Sequence, residues 1–183
     1  MPELVPPTTA VQASFLAAMN ELLLEGAGTS PDDSMVAREI KEFGSAWRTS
    51  EGFSKYVERL LADARESTLR PSYLVANTTY WWIEEDRYLG RISIRHRLTP
   101  RLLEIGGHIG YDVRPSARRQ GHATAMLAAV LPHANELGID PALVTCDTDN
   151  VGSRKVIEAN GGIFEDERSG KLRYWIPTGR AAR

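Results

Sequence analysis

The sequence predicts an α/β protein of the α+β kind, with a mixed, mainly antiparallel sheet of about six to seven strands and helices on both faces. Three observations predict it. Apolar residues recur at helical spacing through residues 1–70. From Thr78 onward, short runs rich in aromatic and β-branched residues alternate with turns, as in strands. Two amphipathic helical segments interrupt these strands, so the order is helices, three strands, helix, strand, helix and hairpin.

The N-terminal part predicts three helices. The first runs from Ala10 to Glu25, where Gly26 supplies a stop and begins a loop that extends to Asp33. The second begins near Ser34. The third runs from about Glu51 to Arg65, and its apolar side is formed by Tyr56, Val57, Leu60 and Leu61.

The middle of the chain predicts an antiparallel meander. Its first two strands, Thr78 to Ile83 and Leu89 to Arg97, are joined by an acidic turn and form a hairpin. After a turn at Thr99 and Pro100, Ile105 to Val113 is predicted as the third strand.

The C-terminal part alternates helices and strands. An amphipathic helix from Gly121 to Leu137 is closed by Gly138. Pro132 inside it removes a backbone bond to Ala128, so the helix should kink or turn that side to solvent. A strand from Leu143 to Cys146 precedes a helix that starts at Asp149 or Asn150 and ends near Ala159. Gly162 to Glu167 and Leu172 to Ile176 form a last hairpin.

Composition favours one globular domain over residues 1–183, with 1–70 as its mostly helical part and 71–183 as its sheet-forming part. The 22 Lys and Arg residues against 24 Asp and Glu give a formal charge of -2, which argues against nucleic acid as a partner. No apolar run is long enough for a membrane span, and the start lacks the pattern of a signal peptide. A single cysteine, Cys146, fits a reducing compartment, and we expect a cytoplasmic protein.

The most informative segment, Val113 to Thr124, joins a strand to the start of a helix. Unpaired backbone N–H groups and the positive end of the helix dipole meet there, which suits an anion such as pyrophosphate. Gly121 and Ala123 permit close backbone approach, and Arg118 and Arg119 add positive charge.

This segment resembles the signature of the GNAT acetyltransferases: Gln or Arg, two residues, Gly, one residue, then Gly or Ala. Here it reads Arg118-Arg119-Gln120-Gly121-His122-Ala123. Three other segments extend the resemblance to a subgroup of predicted bacterial acetyltransferases: Gly107-His108-Ile109-Gly110-Tyr111, Thr145-Cys146-Asp147-Thr148-Asp149-Asn150 with Ser153, and Asn160-Gly161-Gly162.

The resemblance implies an enzyme that moves an acetyl or other short acyl group from acyl-CoA to an amine by direct attack. It implies a splayed central strand pair, with the pantetheine arm between the strands that end at Val113 and Cys146. Acetyl-CoA as co-substrate would contact the segment from Val113 to Thr124, which we call the phosphate cradle, and the start of the helix after Cys146. The residues are Val113, Arg118, Arg119, Gln120, Gly121, His122, Ala123, Thr124, Asn150 and Ser153. For Asn150, a plain helix cap is the alternative.

The sequence departs from the commonest family pattern at two catalytic positions. Ile157 stands where many members have a tyrosine acid, and Thr145 where a glutamate base is frequent. These departures motivate the alternative that the chain is a non-catalytic acyl-CoA-binding or regulatory module.

We therefore select His108, Asp147 and Tyr111 as the catalytic candidates. His108 has a suitable ordinary pKa for a base, and Asp147 lies on the strand at the other side of the gap. Tyr111 is a candidate acid. Each also has a structural interpretation: a cross-strand hydrogen bond for His108, a turn cap for Asp147 and a core position for Tyr111.

Tyr80, Trp82 and His96 are candidates for lining the acceptor pocket, with sheet core as the alternative for the two aromatic residues. Strand pairing through a turn near Arg101 places His96 nearly opposite His108. Two histidines without a third ligand do not predict a metal site. The acceptor is expected to be an amine-bearing small molecule or peptide, and a homodimer is compatible with the sequence.

Overall fold

The computed structural model describes residues 1–27 and 34–179, and these residues form a seven-stranded sheet with helices on both faces. The strands are β1 (Glu3–Val5), β2 (Asn77–Glu84), β3 (Arg87–Arg95), β4 (Ile109–Val113), β5 (Ala142–Asp147), β6 (Ile163–Arg168) and β7 (Lys171–Ile176). The helices are α1 (Gln12–Leu24), α2 (Met35–Phe43), α3 (Ser50–Asp63), α4 (His122–Glu136) and α5 (Val151–Ala159). The predicted fold class is confirmed.

Side-chain caps fix where several helices begin. The Ser34 hydroxyl accepts the Ala37 N–H at 3.1 Å, and the Thr49 hydroxyl accepts the Gly52 N–H at 3.0 Å. Such caps satisfy N–H groups that have no partner inside the helix. The predicted start of the second helix near Ser34 is confirmed. Most of the expected loop from Gly26 to Asp33 lies outside the described residues.

The sheet order is β1-β2-β3-β4-β5-β7-β6. β1 was missed by the sequence analysis, because three residues are too few to show a periodic pattern. All neighbouring strands are antiparallel except β4 and β5, which run parallel. None of the described helices is long and apolar enough to cross a membrane.

The third predicted strand begins later than expected. Leu102–Gly106 form a π-helical turn, so β4 starts only at Ile109. Gly107 ends this turn with a φ of 64°, and a Cβ there would lie 2.5 Å from the carbonyl oxygen of Leu143. Only glycine combines that dihedral angle with so close an approach of β5. The turn thereby brings the 102–107 segment against β5.

Two hydrophobic cores lie on the two faces of the sheet. α4 and α5 pack on one face, which we call the helix-4 face, through Met126, Leu127, Val130 and Ile157. α1, α2 and α3 cover the other, which we call the helix-1 face, through an aromatic cluster around Phe15 and Trp81. Pro132 lies inside α4 and is exposed, so the turn it interrupts faces solvent.

The sheet opens in its centre. Among the described residues, Ile109 and Val144 form the single backbone pair between β4 and β5. All five residues of β4 pair with β3, and β5 pairs with β7 through six residues. β4 and β5 therefore separate beyond Ile109 and leave a gap between Gly110–Val113 and Thr145–Asp147. The splayed strand pair is confirmed.

Candidate functional site

The backbone of β4 faces the gap with unpaired polar groups. Val113 lies opposite Gly90, and the Arg114 N–H donates to the Leu89 carbonyl at 2.9 Å. This pattern makes Val113 and Gly90 a pair without mutual hydrogen bonds, so the Val113 N–H and C=O point away from β3. Tyr111, two residues earlier, has the same orientation. The gap is thus lined by backbone groups that an extended ligand can pair with.

The start of α4 presents a second set of unpaired groups. None of the described residues accepts a hydrogen bond from the backbone N–H of Gly121, His122, Ala123 or Thr124. Gly121 is the N-cap, has a φ of 83° and has open space where a Cβ would stand. Four free amides at the positive end of a 15-residue helix are an arrangement that can bind an anion.

The arginines of the predicted cradle differ in their contacts. The Arg118 guanidinium donates to the Val113 carbonyl at 3.1 Å and pairs with Glu25 of α1 at 2.8 Å. Arg119 is exposed, has a φ of 62° and has no side-chain partner among the described residues. Gln120 donates to the Ser116 carbonyl at 3.2 Å. Arg119 is therefore the cation available to a ligand, whereas Arg118 and Gln120 shape the loop.

A buried ion pair anchors the start of this loop to α1. The Arg114 guanidinium pairs with Glu21, which also accepts the Ser116 N–H at 2.9 Å. The hydrogen bond from Arg114 lowers the pKa of Glu21 to about 2. The segment between β4 and α4 is thereby held at a fixed distance from α1.

The remaining cradle residues have defined local roles. His122 Nδ1 accepts the indole N–H of Trp82 at 3.3 Å, and the Thr124 carbonyl accepts the Asn160 side chain at 3.2 Å. Asn150 caps α5 by accepting the Ser153 N–H at 2.9 Å. The cap interpretation of Asn150 is correct, and it leaves the Asn150 amide group free to donate.

Tyr111 and Ser153 meet across the gap on the helix-4 face. The Tyr111 hydroxyl lies 2.6 Å from Ser153 Oγ, and burial raises the pKa of Tyr111 to about 12. The pair joins β4 to the first turn of α5. It places two hydroxyl groups at one wall of the gap.

His108 does not have the geometry of a base. Its Nδ1 accepts the Leu143 N–H at 3.0 Å, so the neutral ring carries its proton on Nε2 and has no free lone pair. Burial and nearby Arg95 lower the pKa of His108 to about 4. The structural interpretation, a histidine hydrogen-bonded across the sheet, replaces the base assignment.

Asp147 is also occupied. It lies at the exposed end of β5 and forms an ion pair with Lys171 of β7. Thr145, the position where a glutamate base is frequent in the family, donates its hydroxyl to the Ile105 carbonyl at 3.1 Å. Ile157 is fully buried in the core. These three positions contribute to structure.

The predicted acceptor-lining residues Tyr80 and Trp82 lie on the helix-4 face. Tyr80 stacks on His133 of α4 with 4.9 Å between ring centroids, and Trp82 is buried in the core of the helix-4 face. His96 Nε2 lies 2.8 Å from the hydroxyl oxygen of Thr78. The Arg95 N–H donates to the His108 carbonyl, so Arg95 and not His96 stands opposite His108. The expected register was wrong by one residue, which reverses the face.

Sequence reasoning missed Asp112. Ile109, Tyr111 and Val113 pack on the helix-4 face, so alternation places Asp112 and Gly110 on the helix-1 face. Burial raises the pKa of Asp112 although Arg91 lies 3.5 Å away and opposes the shift. The Asp112 side chain is 33% exposed to solvent. Alternation along Gly110-Tyr111-Asp112-Val113 places Asp112 and Tyr111 on opposite faces, but only the contact of Tyr111 with Ser153 of α5 shows which face each occupies.

Arg91 connects Asp112 to a buried network. It also binds Glu39 of α2, and the Glu39 carboxylate accepts the Tyr56 hydroxyl at 2.6 Å. Through Arg91, the network holds the Asp112 carboxylate on the side that faces the guanidinium. Among the described residues, no group of three His, Cys, Asp or Glu side chains is arranged to hold a metal ion.

Comparison with known proteins now gives the family. The model of the acetyltransferase (GNAT) domain matches residues 30–163, which is well over half of the chain. A comparison with curated protein sequences found no match.

Solved structures with the same fold support this match. RimJ from Mycobacterium smegmatis, in complex with CoA-disulfide, superposes with a TM-score of 0.66 at 18% identity, over 96% of this chain and 81% of that chain. Ribosomal-protein-S5-alanine acetyltransferase from Vibrio fischeri superposes with a TM-score of 0.65 at 13% identity, over 100% of this chain and 96% of that chain. The microcin C7 self-immunity acetyltransferase MccE, in complex with acetyl-CoA and AMP, superposes with a TM-score of 0.63 at 12% identity, over 96% of this chain and 92% of that chain.

Proposed function

The chain belongs to the GNAT acetyltransferase family, and from this premise we propose that it transfers the acetyl group of acetyl-CoA to an amine by direct attack in a ternary complex. The observation that carries the proposal is the combination of the β4–β5 gap with the four unpaired amides at the start of α4. The first accepts an extended arm, and the second accepts its anionic end.

Acetyl-CoA supplies the activated acetyl thioester. We assign its pyrophosphate to the N–H groups of residues 121–124, with Arg119 adding a full charge. The pantetheine arm would pair with the free backbone groups of Tyr111, with the Asn150 amide at the other wall. The open space at Gly121 fits this assignment, since a side chain there would stand in the cradle. The CoA complexes of RimJ and MccE, which share the fold, support it.

The negative charge that develops on the thioester carbonyl oxygen during attack must be stabilised by a hydrogen-bond donor. The Val113 N–H points into the gap and has no partner among the described residues, so it is our candidate. One such preorganised donor contributes about 3 kcal/mol to transition-state stabilisation. Arg118 binds the carbonyl of the same residue and thereby helps to hold the orientation of this segment.

We assign the general base to Asp112. A free alkylamine has a pKa of about 10.4 and is mostly protonated at neutral pH, so a proton must leave before or during attack. Asp112 lies next to the proposed oxyanion donor but on the helix-1 face, where an acceptor can approach without crossing the CoA arm. Its raised pKa makes it a better proton acceptor than an ordinary aspartate.

Tyr111 and Ser153 are assigned to the departing thiolate. A thiol has a pKa of about 8.5, whereas the pKa of Tyr111 is about 12, so proton transfer from Tyr111 to the thiolate is unfavourable. The two hydroxyls therefore stabilise the thiolate by donating hydrogen bonds. This assignment changes the expected role of Tyr111 from acid to hydrogen-bond donor.

The acceptor and the location complete the proposal. The Vibrio fischeri protein is described as acting on an alanine of a ribosomal protein, which is compatible with an amine acceptor here. A cytoplasmic location is supported by the single cysteine, which is free and buried.

The test is CoA release from acetyl-CoA with a panel of amines, read by a thiol reagent and by the mass of the product. We expect release that depends on an amine and a product heavier by one acetyl group. Binding of acetyl-CoA without amine-dependent release would instead support the non-catalytic module.

A further inference from the structure

The helix-1 face at β4 carries an arginine that has no carboxylate partner among the described residues. Arg95 of β3 lies over Gly110, and a Cβ on Gly110 would be 3.5 Å from its Nη2. Nη1 donates to the carbonyls of Gly106 and Gly107 at 2.9 and 3.1 Å. The π-helical turn therefore fixes the guanidinium and leaves Nη2 without a partner among the described residues.

Arg38 of α2 adds a second positive charge. It is exposed, no described carboxylate pairs with it, and its field together with burial lowers the pKa of Arg95. The field of Arg95 in turn helps to lower the pKa of His108. Like charges that approach each other at a partly buried site are unfavourable unless an anion joins them.

The three buried arginines of the described residues all pair with carboxylates. Arg91 pairs with Glu39, Arg114 with Glu21, and Arg173 with two carboxylates of β6. Arg95, which is half-buried, differs from them in having no carboxylate partner among the described residues. It lies at the wall of the gap where the acceptor would stand, and the phosphate cradle follows the opposite end of β4.

We propose that the acceptor is an amine that carries a carboxylate, which Arg95 and Arg38 bind while the amine points to Asp112. The inference rests on the proposed acetyltransferase function. Gly110 and Asp112 are two residues apart on one strand, which separates their Cα atoms by about 7 Å. An α-amino acid spans such a site, with its carboxylate over Gly110 and its amine beside Asp112. The planar guanidinium of Arg95 suits a carboxylate by geometry as well as by charge.

The test uses pairs of acceptors that differ only in carboxylate or carboxamide: alanine against alaninamide, and glutamate against isoglutamine. Steady-state kcat/KM is measured for wild type, Arg38→Gln and the control Arg48→Gln. Arg48 is an exposed arginine between α2 and α3 with no electrostatic contact to Arg95. Comparing variants within each pair cancels the different basicities of the amines.

Wild type should prefer the carboxylate member, and Arg38→Gln should reduce that preference up to about fivefold, the upper end for an exposed ion pair. Arg48→Gln should keep it. Arg95→Lys, which retains the charge but loses the planar donor pair, should also reduce the preference.

Equal turnover of both members, or a preference that Arg38→Gln leaves unchanged, would overturn the carboxylate site and leave the acetyltransferase function intact. Failure of every amine to release CoA from a protein that binds acetyl-CoA would overturn both.

Discussion

Replacement of Gly121 by glutamate should abolish tight CoA binding without unfolding the protein. A Cβ at this position meets no atom within 4 Å, so the side chain fits. The φ of 83° costs a residue with a Cβ about 1 kcal/mol, which lowers stability modestly. In the absence of ligand the new carboxylate can accept hydrogen bonds from the α4 amides, which offsets part of that cost.

The effect on CoA follows from charge. The glutamate would stand about 4 Å from a pyrophosphate with at least two negative charges, and each pair of unit charges at that distance costs about 1 kcal/mol even in bulk water. The loss is therefore at least about 2 kcal/mol, or about 30-fold in Kd. Competition for the four amides adds to it.

Titration calorimetry with CoA measures this loss directly, and two variants separate its causes. Gly121→Ala carries the same backbone strain without the charge and should lose less affinity. Gly138→Glu, at the other end of α4 with a φ of 77° and equally open space, carries strain and charge but should bind CoA like wild type. If folded Gly121→Glu binds CoA as tightly as Gly138→Glu does, the cradle assignment is wrong.

Four further results are expected. Arg119→Ala should weaken CoA binding at low salt and less at high salt, because exposed charges are screened; equal losses at both would count against a direct charge contact. Asp112→Asn should lower kcat about 100-fold with unchanged acetyl-CoA affinity and remove the acid limb of the pH–rate profile, whereas Asp147→Asn should do neither. His108→Gln should keep turnover but change acid stability. In the wild-type protein, His108 has its ordinary pKa of about 6.5 in the unfolded state and a pKa of about 4 in the folded state. The free energy of unfolding should therefore fall by up to about 3 kcal/mol as pH drops through that window. Chemical denaturation at several pH values should show a smaller fall in the variant. Tyr111→Phe should lower kcat about tenfold through the lost hydrogen bond to the thiolate, and an unchanged kcat would remove Tyr111 from the mechanism.

Much of the fold could be predicted from the sequence because its signals are local. The helix starts at Ser34 and Asn150 carry their own capping side chains. The unpaired amides at the start of α4 were also predictable, since the first N–H groups of any helix have no partner inside it. β1 and the π-helical turn were missed, because both depend on contacts with distant strands and not on periodicity.

The acceptor side was predicted poorly for a specific reason. A turn longer than expected shifted the β3–β4 register by one residue, which replaced His96 by Arg95 opposite His108. Trp82 lies in the core of the helix-4 face and Tyr80 packs against that core, which agrees with the sheet-core alternative for these two aromatic residues. Asp112 was passed over because its role follows from which face Tyr111 occupies, and only the packing of α5 decides that.

The central claim is direct transfer in a ternary complex, and a matrix of initial rates tests it most directly. CoA release is measured at several fixed concentrations of an active amine while acetyl-CoA is varied. Cys146, the free thiol of the chain, is buried and its pKa is raised, so it is poorly suited to carry the acetyl group. The account predicts double-reciprocal lines that intersect. Parallel lines, together with an acetyl group covalently bound to the protein before amine is added, would contradict it.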